Sequence, residues 1–186
     1  MKNKHIIITI IVLIALSTYF LLNNKGVATQ NKSSKDLGNP STIGTNIGDF
    51  APQFSYTTID DKKVDSSSFD SKVVVITSAA AWCPTCALEA EQFSPIYEKY
   101  NNNKQVVFIT VDIDPMDTKE AISKFKKDMK TPWDYTNLNG GKEIIEKYHL
   151  NRFEITYIID KQGKISFKDF LITNSEKLNQ EISKLL

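Results

Sequence analysis

The order of apolar and polar positions divides the 186-residue chain into three unequal parts. Ile6 to Leu22 carries no charge and has no polar face. As a helix rising about 1.5 Å per residue, that run just spans a ~30 Å hydrocarbon core. Thr9, Ser17 and Thr18 interrupt it, but hydroxyls there bond back to helix carbonyls. Residues 23–46 are rich in Asn, Ser, Thr, Lys and Gly and offer little apolar surface to bury, which predicts a flexible linker. From residue 47 to 186, short apolar runs alternate with helix-period segments, the pattern of a single α/β domain.

Within that domain, Val73-Val-Val-Ile-Thr77 and Val106-Val-Phe-Ile-Thr-Val-Asp112 are β-branched runs without helical spacing, and predict buried parallel strands. Ile155-Thr-Tyr-Ile-Ile159 and Ile165-Ser-Phe-Lys-Asp-Phe170 flank the turn cluster Asp160-Lys-Gln-Gly163, which predicts an antiparallel hairpin. Residues 87–100 place Leu88, Phe93, Ile96, Tyr97 and Tyr100 at helix spacing. Asp117-Thr-Lys-Glu120 and Thr173-Asn-Ser-Glu176 read as capping boxes opening two further helices, with a short helix over 141–148. Residues 50–69 look like an irregular strand pair turning at Asp60-Asp61. The order β-turn-β, βαβα, ββα predicts a three-layer α/β sandwich with an N-terminal β extension, preceded by a transmembrane helix.

Charge bears on location and partners. Lys2, Lys4 and the α-amino group flank the apolar run, and predict an inside N-terminus with the domain outside the cytoplasm, on a single-pass membrane anchor over 1–22. A cleavable signal peptide is the competing reading; its cleavage site would have to be Gly26-Val-Ala28. Either reading puts the domain outside. From residue 47 onward there are 18 basic against 21 acidic residues, so a nucleic-acid partner is not expected.

The candidate chemistry lies in Trp82-Cys83-Pro84-Thr85-Cys86, which holds both cysteines of the chain. Two cysteines placed at random would fall three apart about 1% of the time. A purely structural disulfide gains little here, since closing so short a loop is worth about 2 kcal/mol. A structural zinc site needs two more ligands, and the only histidines are His5 and His149. Between a strand and a helix start, by contrast, the first cysteine meets the positive end of the helix dipole, which favours its thiolate. Cys83 is the expected nucleophile, Cys86 the resolving thiol, and Pro84 fits the first helical turn, where its missing N–H costs nothing. Trp82 would wall the thiol pair. Glu89, three residues past Cys86 on the same face, is either a first-turn acid favouring the dipole or a partly buried carboxylate that passes protons to the thiols.

With these residues the domain resembles the thioredoxin-like redoxins of the TlpA/ResA type over nearly all of 47–186. The resemblance rests on Ile47-Gly-Asp-Phe-Ala-Pro52 with Phe54, on Ala81-Trp-Cys-Pro-Thr-Cys86, on Val111-Asp112 and on Tyr157-Ile-Ile-Asp160 with Gly163. It implies a thiol-disulfide oxidoreductase that needs no cofactor, with Glu89 catalytically relevant. It also implies protein disulfide substrates, such as apocytochrome c or copper-site subunits, and a thiol electron donor in the membrane. Two positions depart from the family. Its cis-proline before the hairpin strand is replaced by Glu154, so a trans bond is expected there. The substrate-facing set becomes Trp82, Pro84 and Glu154, and an ionised Glu154 would disfavour the thiolate or complete a metal site with the two sulfurs. Glu91 replaces the family's helix proline, leaving Pro95 a turn later. Two other functions compete. A Sco-type copper chaperone would use a longer cysteine spacing and a histidine where Arg152 stands; a peroxiredoxin would need a threonine at Ala80.

Overall fold

Val73–Ala79 is buried at every position, and this strand organises the domain. In a computed structural model, which describes residues 42–102 and 104–186, it is the centre of a five-stranded mixed sheet. The strands in chain order are β3 (Val73–Ala79), β4 (Val106–Asp112), β5 (Asp134–Thr136), β6 (Thr156–Ile159) and β7 (Ile165–Asp169), arranged β5-β4-β3-β6-β7. β3, β4 and β5 are parallel neighbours, while β6 runs antiparallel to β3 and β7 antiparallel to β6. The predicted parallel pair and hairpin are both present. β5 was not anticipated: three residues with one apolar side chain show no periodicity.

Alternation along β3 sends successive side chains to opposite faces. Val73 and Val75 join Phe93, Ile96, Phe108, Phe125, Leu178 and Ile182 in one core layer. Val74 and Ile76 join Phe54, Ile109, Ile144, Tyr148 and Tyr157 in the other. Burying a side chain of this size contributes about 1.5–3 kcal/mol, so each face is a substantial core. The first face is covered by α1 (Pro84–Asn101), α2 (Lys119–Asp128) and α4 (Ser175–Ser183); the second by α3 (Lys142–Tyr148) and the hairpin of β1 (Ser55–Thr57) and β2 (Lys63–Asp65). This is the three-layer sandwich with an N-terminal β extension.

Two predicted caps are shifted by one residue. α2 is capped by Thr118, whose hydroxyl accepts from Ala121 N–H, and α4 by Asn174, which accepts from Lys177 N–H. Asp117 and Thr173, the expected caps, are engaged elsewhere: the Asp117 carboxylate accepts from Ala81 N–H and the Thr173 hydroxyl donates to Asp169. The domain edge also begins earlier than residue 47. Thr42 C=O accepts from Phe50 N–H, Gly44 N–H donates to Phe50 C=O, and Lys168 Nζ donates to Thr45 C=O. Residues 42–46, at the end of the expected linker, are thus hydrogen-bonded to the domain. The expected anchor over 1–22 and the rest of the linker lie outside the described residues. Among the described residues no helix is long and apolar enough to cross a membrane.

Candidate active site

β3 ends at Ala79, and the chain needs only four residues to turn into α1. Each is tied down. Ala80 is fully buried and its C=O accepts from Cys83 N–H at 3.2 Å. Ala81 N–H donates to Asp117 Oδ2 at 2.7 Å, and Trp82 Nε1–H to Asp114 Oδ2 at 2.6 Å. Cys83 is then the N-cap of α1 in an extended conformation, with Pro84 at the first helical position as expected. Its Sγ accepts from Cys86 N–H at 3.1 Å and faces the Thr85 hydroxyl at 3.2 Å. An amide and a hydroxyl therefore converge on the sulfur at the positive end of the helix, the arrangement that stabilises a thiolate once the pair is reduced. Cys83 and Cys86 are joined as a disulfide.

Trp82 is 61% exposed and meets Phe153 edge-on at 5.6 Å between ring centres. It presents an apolar surface to solvent beside the pair. Trp82, Cys83 and Pro84 line a groove of about 330 Å³ together with Lys124, Phe125 and Met129. A separate cavity of about 680 Å³ lies by the N-terminal end of β3, among Phe50, Phe54, Phe69 and Tyr148, and no cysteine lines it.

Glu89 is 2% exposed and stands beyond the first turn of α1, a buried carboxyl rather than a first-turn acid. It accepts from Thr77 Oγ1 at 2.8 Å, Thr173 N–H at 3.1 Å and Thr156 Oγ1 at 3.4 Å. Burial pushes its pKa up to about 7, the bonds from Thr173 and Thr77 hold it back, and the charge of Glu154 adds to the rise. Thr77 and Thr156 are register partners across β3 and β6, so the sheet itself presents the two hydroxyls. These threonines were not anticipated. The signal available was a polar residue inside an otherwise apolar strand run.

Asp112 at the end of β4 is also 2% exposed. Burial first, then the neighbouring Asp117, push its pKa up to about 8, so at neutral pH it keeps its proton. The site is thus flanked by two buried protonatable carboxyls, one behind Cys86 and one behind the turn before Cys83.

Glu154 lies two residues before β6, at the end of the sheet, with Oε1 3.9 Å from Cys83 Sγ. Ser78 fixes its segment. Ser78 C=O accepts from Glu154 N–H at 2.9 Å, while Ser78 Oγ donates to Arg152 C=O and accepts from Ile155 N–H. The peptide is trans, as expected, and Glu154 takes φ 62°, a left-handed conformation that costs a non-glycine residue about 1 kcal/mol. The ligand atoms of Cys83, Cys86 and Glu154 all lie within 4.8 Å of one another. His149 is not part of this group; it caps α3 at φ 54°.

The chain matches the Redoxin family model over residues 46–182. It is 30% identical over 141 residues to the thiol-disulfide oxidoreductase ResA of Bacillus thuringiensis subsp. konkukian, covering 75% of this chain and 78% of that protein. ResA of Oceanobacillus iheyensis is 26% identical over 124 residues, covering 64% of this chain and 62% of its own. Among solved structures, a thioredoxin-family thiol:disulfide interchange protein from Chlorobium tepidum superposes with a TM-score of 0.66 at 16% identity, over 80% of this chain and 97% of that one. The thioredoxin domain of a thiol-disulfide oxidoreductase from Bacteroides vulgatus gives 0.63 at 22% identity, over 75% and 96%. These structures share the fold; family and chemistry follow from the sequence matches together with a cysteine pair at a helix N-terminus. The chain belongs to the redoxin family, as a thiol-disulfide oxidoreductase similar to the ResA proteins.

Proposed function

We propose that this domain is held outside the cytoplasmic membrane by residues 1–22 and reduces disulfides in partner proteins, of the kind met in cytochrome c or copper-site maturation. The observation that carries the direction of proton flow is the buried Glu89 carboxyl, one helical turn beyond Cys86 and poised at a pKa of about 7. In the reduced protein, the Cys83 thiolate attacks one sulfur of the partner's disulfide. The partner's other sulfur leaves as a thiolate and takes a proton from solvent. Cys86 then gives its proton to Glu89 and attacks Cys83 Sγ, which frees the reduced partner and closes the Cys83–Cys86 disulfide. Two electrons have passed to the partner, and a dithiol donor in the membrane restores the pair.

Exposed apolar side chains support a protein substrate. Trp82 and Met116 stand out from the loops after β3 and β4, and Phe170, Leu171 and Ile172 follow β7 and lead into Thr173, whose N–H reaches Glu89. The test is the equilibrium potential of the Cys83–Cys86 couple together with reduction of insulin. A value below about −250 mV, with turnover abolished in Cys83→Ser, is expected of a reductant. A value near −120 mV would reverse the direction of transfer.

A further inference from the structure

The surroundings of Glu154 in the oxidised protein are unfavourable. The carboxylate is half-buried, no lysine, arginine or histidine among the described residues pairs with it, and its side chain faces Cys83 Sγ at 3.9 Å. A disulfide sulfur has no proton to donate to it. The left-handed backbone that aims the side chain there is itself strained, and Ser78 holds it in place. Reduction turns the two sulfurs into separate donors beside the carboxylate oxygen, all three within 4.8 Å of one another. A cation that displaces the thiol protons can bind all three.

We propose that the reduced Cys83–Cys86 pair and Glu154 form a three-ligand site for a zinc ion, with the fourth position open to water. The donor set selects the metal. Two thiolates exclude calcium and magnesium, whereas Cu(I) is satisfied by the two soft sulfurs and gains little from a hard carboxylate oxygen; Zn²⁺ takes both donor types. The dimensions agree. With Zn–S near 2.3 Å and Zn–O near 2.0–2.2 Å, tetrahedral ligands sit roughly 3.5–3.8 Å apart. Glu154 Oε1 is already 3.9 Å from Cys83 Sγ, and breaking the disulfide lets the two sulfurs separate toward the same spacing. The groove beside Cys83 leaves room for the fourth ligand. Binding displaces the thiol protons to solvent, and the oxidised pair, with its sulfurs bonded to each other, offers no thiolate. The site is therefore redox-gated: zinc withdraws the reduced pair from exchange. Zinc at a hundred times its Kd moves the dithiol–disulfide equilibrium a hundredfold toward the dithiol, about 59 mV for this two-electron couple.

The experiment is zinc titration of the reduced full chain in detergent against a chromophoric chelator, with Co²⁺ as a spectroscopic probe of thiolate ligation. One zinc per chain with submicromolar Kd is expected, with none bound by the oxidised protein. Glu154→Gln should weaken zinc at least tenfold while leaving Cu(I) affinity within threefold. Glu154→Asn, which adopts positive φ readily, repeats the test should the first variant fold poorly. Zinc binding as tight in these variants as in the wild type, a parallel loss of copper, or no stoichiometric zinc in the reduced wild type would each overturn the assignment.

Discussion

Glu89 shows how one residue can be costly for stability and useful for chemistry. Its pKa rises from 4.5 in the unfolded chain to about 7 in the folded one. Between those values the native state binds a proton that the unfolded state releases, so stability falls as pH rises through this window, and the penalty is complete above it. A shift of that size corresponds to about 3 kcal/mol. Glu89→Gln should flatten this part of the stability–pH curve and be more stable than the wild type by roughly 1–3 kcal/mol at pH 8, measured by urea denaturation. The same variant should slow closure of the Cys83–Cys86 disulfide at least tenfold, since Cys86 loses its proton acceptor; unchanged closure would remove Glu89 from the mechanism. Glu154 separates backbone from charge in the same way. Glu154→Gly relieves the φ 62° strain but gains unfolded-state entropy, so stability should stay within about 1 kcal/mol. Cys83 alkylation at pH 6.5 should nonetheless speed up several-fold, because the adjacent negative charge is gone. Glu154→Pro demands φ near −65° and removes the N–H that binds Ser78. It should destabilise the fold by about 3 kcal/mol, read from the same denaturation curves.

At the scale of elements, the central strands and the helices were legible, β3 and β4 as β-branched runs buried on both faces and the helices by their apolar spacing and caps. What escaped the sequence were side chains used across elements. Asp117 satisfies every local rule for capping α2, yet the turn between β3 and α1 leaves Ala81 N–H without a strand or helix partner, and Asp117 supplies the acceptor. Nothing local to residues 117–120 records that need. Cys83, Cys86 and Glu89 were readable because their spacing lies within one helix; Asp112 was noted only as a family feature, and its pairing with Asp117 belongs to the tertiary fold. The division of labour between adjacent residues is testable. Thr118→Ala should cost about 1 kcal/mol of stability with the rate of disulfide exchange unchanged, as expected for loss of a helix cap. Asp117→Ala should leave α2 capped but free the turn before Cys83, slowing exchange with a model disulfide several-fold. Equal effects of the two on exchange would mean that the turn is positioned by α2 as a whole.

For the whole molecule, the architecture gathers the chemistry at one end of the sheet. β3 and β4 are parallel and end together, with Ala79 opposite Asp112, so both turns that grip the cysteine segment emerge side by side. β6 enters the sheet from the same end, which places Ser78, Glu154 and Ile155 in mutual reach. The tie between Thr42 and Phe50, and that between Gly48 N–H and Ile165 C=O, bring the chain onto the β7 edge of the sheet, away from the α1–α2 groove beside Cys83. The proposed orientation then makes a direct prediction. In intact cells, the full chain should fractionate with membranes, and its reduced cysteines should react with a membrane-impermeant thiol reagent. A chain starting at residue 23 and expressed without export should remain in the soluble fraction and be labelled only after lysis. Labelling of the full chain only after lysis would place the domain on the inner side, among thiol-reducing systems that leave a second reductant little to do. In that case, the catalytic pair would stand as described, and the partner class would have to be sought in the cytoplasm.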